Sequence, residues 1–175
     1  MTFKTSLAAV LMICAFGLTL YAQETGPRPK RPRVAEDYVP GTLKEIAAKA
    51  AGAESLGNKE ETMVIDPDLS PTRVRVTYAG STARLPEAKA ELIRQWANRY
   101  AGAPETYIRH YEVDVAFTED GTDYWLTFSK KTLDSLLHSD TSKKPVDLFL
   151  IKMGAIKQGD KWAPVLLVER FQETK

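Results

Sequence analysis

The dipeptide Asp120-Gly121, flanked on both sides by alternating apolar and polar residues, constrains this chain more than any other feature. An Asp-Gly pair adopts the tight turn whose twist matches that of two antiparallel strands. From Tyr107 onward, Tyr107, Tyr111, Val113, Val115 and Phe117 fall on one face, and His110, Glu112, Asp114 and Thr118 on the other. With Asp120 and Gly121 as the loop, Phe117 faces Tyr124, Val115 faces Leu126 and Val113 faces Phe128, all apolar pairs. On the opposite face Thr118 meets Asp123, Ala116 meets Trp125 and Asp114 meets Thr127. A slip of one residue would mix the two faces, so the register is strongly specified.

A second hairpin begins after Pro145. Residues Val146 to Ile151 and Val165 to Val168 are apolar on both faces, the pattern of strands covered from two sides. With Gln158-Gly159 as its loop, Leu150 meets Leu167, Phe149 meets Val168 and Asp147 meets Arg170. Pro164 has no amide hydrogen to donate and belongs at an edge or a bulge.

The clearest helix starts at Pro86, whose fixed backbone angle suits a first helical position. Its apolar residues Leu85, Ala88, Leu92, Ile93, Trp96 and Tyr100 recur at helical spacing, and Gly102 followed by Pro104 stops it. A shorter helix opens with the reciprocal cap Thr42-Leu43-Lys44-Glu45 and runs through Ile46, Ala47, Ala50 and Ala51 to Gly52. Strands over 62–65 and 73–78 follow, separated by the turn-forming stretch 66–71. Another short helix spans Leu133 to His138. These elements predict an α+β domain: a mostly antiparallel twisted sheet of about five or six strands, one long amphipathic helix packed on it, and short accessory helices. A strongly curved, barrel-like sheet is compatible with the same order. Gly159-Asp160-Lys161-Trp162 and the apolar residues after it resemble the last hairpin of the nuclear-transport-factor-2-like, cone-shaped folds, over about the final fifth of the chain. The helix between the two hairpins departs from that family's order.

The N-terminus carries an export signature. Lys4 precedes an apolar run from Leu7 to Ala22 that is shorter than the roughly 20 residues of a membrane-spanning helix. Residues 1–22 therefore read as a cleavable signal peptide, with an uncleaved anchor as the alternative. Cys14, the only cysteine, lies inside it, and Ile13 is too bulky for the position before a lipidated cysteine. A chain cut after Ala22 has no disulfide and no thiolate metal site. Residues 23–41 read as a Pro/Arg-rich linker, with 42–175 as a single domain. Within the linker, residues 26–33 alternate proline with basic side chains. They act as a solvated tether, or give weak contact with an anionic surface at about 1 kcal/mol per basic residue. The expected location is periplasmic or extracellular.

The chain has 24 basic and 23 acidic residues, so net charge gives no case for nucleic acid as a partner. It has two histidines and none of the zincin, nucleophile-elbow, phosphate-loop or dinucleotide patterns. Neither a metal nor a cofactor is expected. His110, Glu112 and Asp114, as alternate residues of one strand, project from one face at about 6.6 Å spacing. They form either a polar ligand site or an ordinary solvated face. His138 falls where its helix ends and suits a C-terminal cap, with Asp134 one turn earlier. Trp125 stands on an otherwise polar face. There it is either covered by another element or free, beside Asp123 and Thr127, to stack on a sugar ring or anchor a partner.

Three functions fit. The first is a non-catalytic binding or interaction module in the bacterial cell envelope, recognising a protein or polymer through Trp125 and Glu112. The second is a small hydrolase or isomerase whose pocket uses His110 and Asp114. The third is a structural envelope protein held by its basic linker.

Overall fold

The computed structural model describes residues 33–52, 62–102, 104–139 and 144–174. The segment read as a signal peptide, and the basic proline-rich stretch apart from Arg33, lie outside the described residues.

The chain from Val34 onward forms one unit. Residues 35–37, near the end of the stretch read as linker, make a 3-10 turn, and the short strand β1, Val39–Pro40, pairs with the body of the domain. Between them Tyr38 is buried, edge-on to Phe149 at 4.9 Å, with its hydroxyl bonded to the Glu169 carboxylate. The reciprocal cap forms as expected: Thr42 accepts from the Glu45 amide at 3.1 Å, and Glu45 accepts from the Thr42 amide at 3.2 Å. Helix α1, Leu43–Ala51, follows. The Glu119 carboxylate caps the same end, accepting from the Leu43 and Lys44 amides at 3.0 and 2.9 Å, where a negative charge suits the helix dipole.

Strands β2, Met63–Ile65, and β3, Thr72–Arg84, lead to α2, Glu87–Tyr100, which Pro86 caps from just outside the first helical position. A helix, α3, spans Pro104–His110, then come β4, Tyr111–Glu119, and β5, Thr122–Ser129. Helix α4, Lys130–Leu137, precedes β6, Pro145–Gln158, and β7, Lys161–Glu173.

The architecture is α+β with a seven-stranded mixed sheet in the order β1-β3-β4-β5-β7-β6-β2. Pairings β1–β3 and β5–β7 are parallel, and β3 also pairs with β6. That last pairing closes β3, β4, β5, β7 and β6 into a five-stranded barrel. One strand serves two neighbours: β3 pairs with β6 over Thr72 to Thr77 and with β4 over Thr77 to Arg84, with a register shift between Tyr78 and Thr82. Gly80, at φ +81°, supplies the left-handed backbone in that irregular stretch. The closed barrel, with α2 outside it, replaces the open cone that the terminal hairpin's resemblance implies.

The barrel interior holds stacked Phe117 and Phe128 among Val74, Val115, Leu126 and Leu148, and α1 and α4 contribute Leu43 and Leu136. Outside, Leu92, Ile93 and Trp96 of α2 cover Ile151, Met153 and Val165. Strands β6 and β7 are thus buried on both faces, as their unbroken apolar runs require. Each such fully buried side chain contributes about 1.5–3 kcal/mol.

The first hairpin has the expected register at all six pairs from Val113↔Phe128 to Thr118↔Asp123. Asp120 and Gly121 both take positive φ, +50° and +78°, as this turn demands. The second hairpin differs. Its loop is Gly159-Asp160, Leu150 meets Val168, and Asp147 meets Gln172. Pro164 lies opposite Ala155, on a stretch of β7 whose other edge is not joined to β5.

Candidate functional site

Along β5 the alternation places Leu126 and Phe128 in the interior and Asp123, Trp125, Thr127 and Ser129 outside. The outer face of the hairpin is divided by the first turns of α2. Lys89 reaches down from that helix and is 3% exposed. Its Nζ lies 2.6 Å from Asp114 Oδ2 and 3.1 Å from the Trp125 carbonyl oxygen. Thr127 donates its hydroxyl to Asp114 Oδ1 at 2.8 Å. Asp114, buried and answered on both oxygens, is a structural anion that fixes α2 across the hairpin.

Beside this network Trp125 stays 43% exposed. Its ring borders a cleft of about 380 Å³ lined also by Arg84, Asp123, Tyr124, Gln158 and Pro164, with Lys89 and Asp114 among its walls. The volume falls within the range of about 300–1,000 Å³ typical of ligand sites. The polar groups are balanced in sign. Tyr124 alternates with Asp123 and Trp125, so its ring packs against the interior cluster, where burial, with the Glu119 and Asp120 carboxylates adding to it, raises its hydroxyl above the ordinary value. Asp123 already accepts from Thr118 Oγ1 at 2.6 Å and is held in place. An exposed indole beside neutral and balanced donors and acceptors is suited to stacking on a ring whose edge carries hydroxyls.

The other residues singled out from sequence go elsewhere. His110 is the last residue of α3 and not part of a strand, so it does not share the strand face of Glu112 and Asp114. It lines a separate cleft between α3 and α4 together with His138 and Asp134. Glu112 is exposed and borders a third cleft, beside Arg84 and Arg94. The proposed pair His110 and Asp114 therefore faces two different spaces, and Asp114 is committed to Lys89 and Thr127. His138 stands at the C-cap of α4, its Nδ1 2.6 Å from the Asp134 carbonyl oxygen, the capping position expected for it. Trp162 is half-buried against Ala50, Val64 and Ala155 and takes no part in the Trp125 cleft.

Lys89 is the member of this site that sequence reasoning missed. It sits one position from Ala88, which was placed on the apolar stripe. In the structure Ala88 is exposed and Lys89 is buried, because its long stem packs as a hydrophobe while its head finds a carboxylate. A cation facing a strand aspartate across the helix–sheet interface is a non-local fact, with no periodic signal to announce it.

Among the described residues no helix is long and apolar enough to cross a membrane, and no group of three or more His, Cys, Asp or Glu could hold a metal ion. The molecule is thus an α+β protein with a barrel closed within a mixed sheet and an exposed aromatic cleft on its flank. No known protein family, curated protein or solved structure matches it.

Proposed function

We propose that this chain is an exported, non-catalytic binding module that recognises an envelope polymer or protein through the Trp125 cleft, with a hydroxyl-rich, ring-bearing polymer as the preferred ligand class. Trp125 carries this reading: a large aromatic ring left 43% exposed at the edge of a cleft whose wall is a buried, fully paired Lys89–Asp114–Thr127 network. An indole held at a pre-organised surface loses little side-chain freedom when a ring stacks on it, so little of the stacking energy is offset on binding. The barrel's strand order lends support. Counted along the chain from β3, the strands run first-second-third-fifth-fourth and back to the first, the third and fifth are parallel, and a helix joins the third to the fourth. That is the arrangement of the five-stranded Greek-key barrels that bind oligonucleotides and oligosaccharides on the face of the second and third strands. Trp125 lies on that face. The balanced charge of the cleft and of the whole chain favours sugars over the polyanionic alternative. The apolar run from Leu7 to Ala22 supports export, and the basic stretch at 26–33 supports a tether that keeps the domain clear of the membrane.

The test is isothermal titration calorimetry of residues 23–175 with soluble oligosaccharide fragments of bacterial envelope polymers. Saturable binding is expected, weakened at least tenfold in Trp125→Ala and largely kept in Trp125→Phe. Equal binding by the Trp125→Ala variant, or no saturable response to any fragment, overturns the reading.

A further inference from the structure

Helix α3 runs directly into β4 and α4 runs directly out of β5, at the two strand ends where Tyr111 pairs with Ser129. Two helices leaving one point of a sheet enclose a V-shaped space, and here its volume is about 870 Å³. The wall from α4 is its polar side, with Lys130, Lys131, Asp134 and His138 at helical spacing, while Leu133 and Leu136 on the other side enter the core. The wall from α3 offers Arg109 and His110. Three basic side chains, Arg109, Lys130 and Lys131, line it with one carboxylate, Asp134, a formal surplus of two positive charges with the histidines counted neutral. All of this sits in a chain whose net charge is only +1.

The cations are unspent. Arg75, Lys89, Arg94 and Lys152 all hold carboxylates. Among the described residues no carboxylate lies in ion-pair contact with Arg109, Lys130 or Lys131. Arg109 makes only a long 3.4 Å bond to the carbonyl oxygen of Glu105, one turn back on its own helix. Like charges gathered in a concavity raise the free energy of the unliganded protein and focus a positive potential into it. We infer that the cleft between α3 and α4 is a second binding site, distinct from the Trp125 cleft, for a doubly or triply charged phosphate group. A single carboxylate would neutralise only half of the surplus charge. A phosphate monoester or diphosphate matches it, and can be reached at once by the forked Arg109 guanidinium and by the two lysines as point charges. Both histidines of the chain line the cleft; His138 already directs its Nδ1 at the Asp134 carbonyl oxygen, and His110 can present a ring N–H to the ligand.

The experiment is a nitrogen-15 NMR titration of residues 23–175 with inorganic pyrophosphate at constant ionic strength, with chloride as the control. Saturable shifts confined to Arg109, His110, Lys130, Lys131 and His138 are expected, and a loss of at least tenfold in affinity in K130E/K131E. The lysines are exposed, and carboxylates suit the first turn of a helix, so this variant should melt like the parent. In parallel, co-sedimentation with phosphatidic acid vesicles, whose headgroup is a phosphate monoester, against phosphatidylcholine, asks whether the phosphate can be a lipid headgroup. Binding to pyrophosphate assigns a free phosphate ligand, and charge-dependent binding to the anionic vesicles alone assigns a headgroup. Shifts that follow ionic strength without saturating, together with vesicle binding that K130E/K131E leaves unchanged, overturn the proposal.

Discussion

At the scale of single residues, Lys89 and Asp114 show why a polar pair can be half legible. The Asp120-Gly121 turn fixes Asp114 opposite Thr127, and that contact is made at 2.8 Å. The third member comes from the first turn of a helix whose stripe is otherwise the one expected, at Leu92, Ile93 and Trp96; only there is Lys89 buried in place of Ala88, and no local pattern marks it. Removing one side of a buried ion pair leaves the other charge without its compensation. Lys89→Met should therefore cost about 3–5 kcal/mol, whereas replacing both partners by apolar residues of similar volume should cost much less. Urea unfolding of Lys89→Met and of the K89M/D114L double variant checks this. A single-variant loss below about 1 kcal/mol would mean that water already reaches the pair. The exposure of Trp125 was equally beyond local reading, because it depends on where α2 crosses the hairpin.

At the scale of elements, the two hairpins show what fixes a register. In the first, one face is apolar and the other polar, and only one pairing keeps them apart; that pairing is observed. In the second, both faces are apolar, so sliding the strands costs little in burial and the sequence cannot choose. The turn chose instead: Gly159, at φ +61°, starts the loop one residue later than expected, and register shifts at Phe149/Leu150 and Lys152/Gly154 absorb the remainder. The strand read from Tyr107 begins at Tyr111 because Pro104 opens a helix, α3, that persists to His110. Gly154 marks a further constraint. At φ +148°, a Cβ there would come within 2.0 Å of the Val64 carbonyl oxygen, and at its Ile65↔Gly154 end β2 approaches β6 this closely because the side chain is absent. Gly154→Ala should cost about 1–3 kcal/mol from backbone strain alone. It should also raise amide exchange at Met63 to Ile65 well above the rest of the sheet. Unchanged protection of those amides would show that β2 tolerates the displacement.

At the scale of the whole molecule, barrel closure rests on contacts between distant parts of the chain. The β5–β7 joint pairs Thr127 with Leu167 and Phe128 with Val168, and a parallel joint of this kind has no turn to announce it. The sequence pattern thus allowed a curved sheet without selecting one. The same non-locality decides where the fold begins. The capping box at Thr42 is a strong local start, yet Tyr38 lies before it and is buried among Phe149, Arg170 and Glu169, the last of these at a bulge of β7. Tyr38 ties residues 34–40, the end of the stretch read as linker, to β6 and β7. A chain starting at Val34 should unfold at the same urea concentration as one starting at Gln23. One starting at Gly41 should lose about 3–5 kcal/mol, the usual cost of deleting a buried aromatic ring, in addition to the β1 pairing. If the Gly41 chain is as stable as the others, Tyr38 rests on the barrel without holding it, and the domain starts at its helix cap.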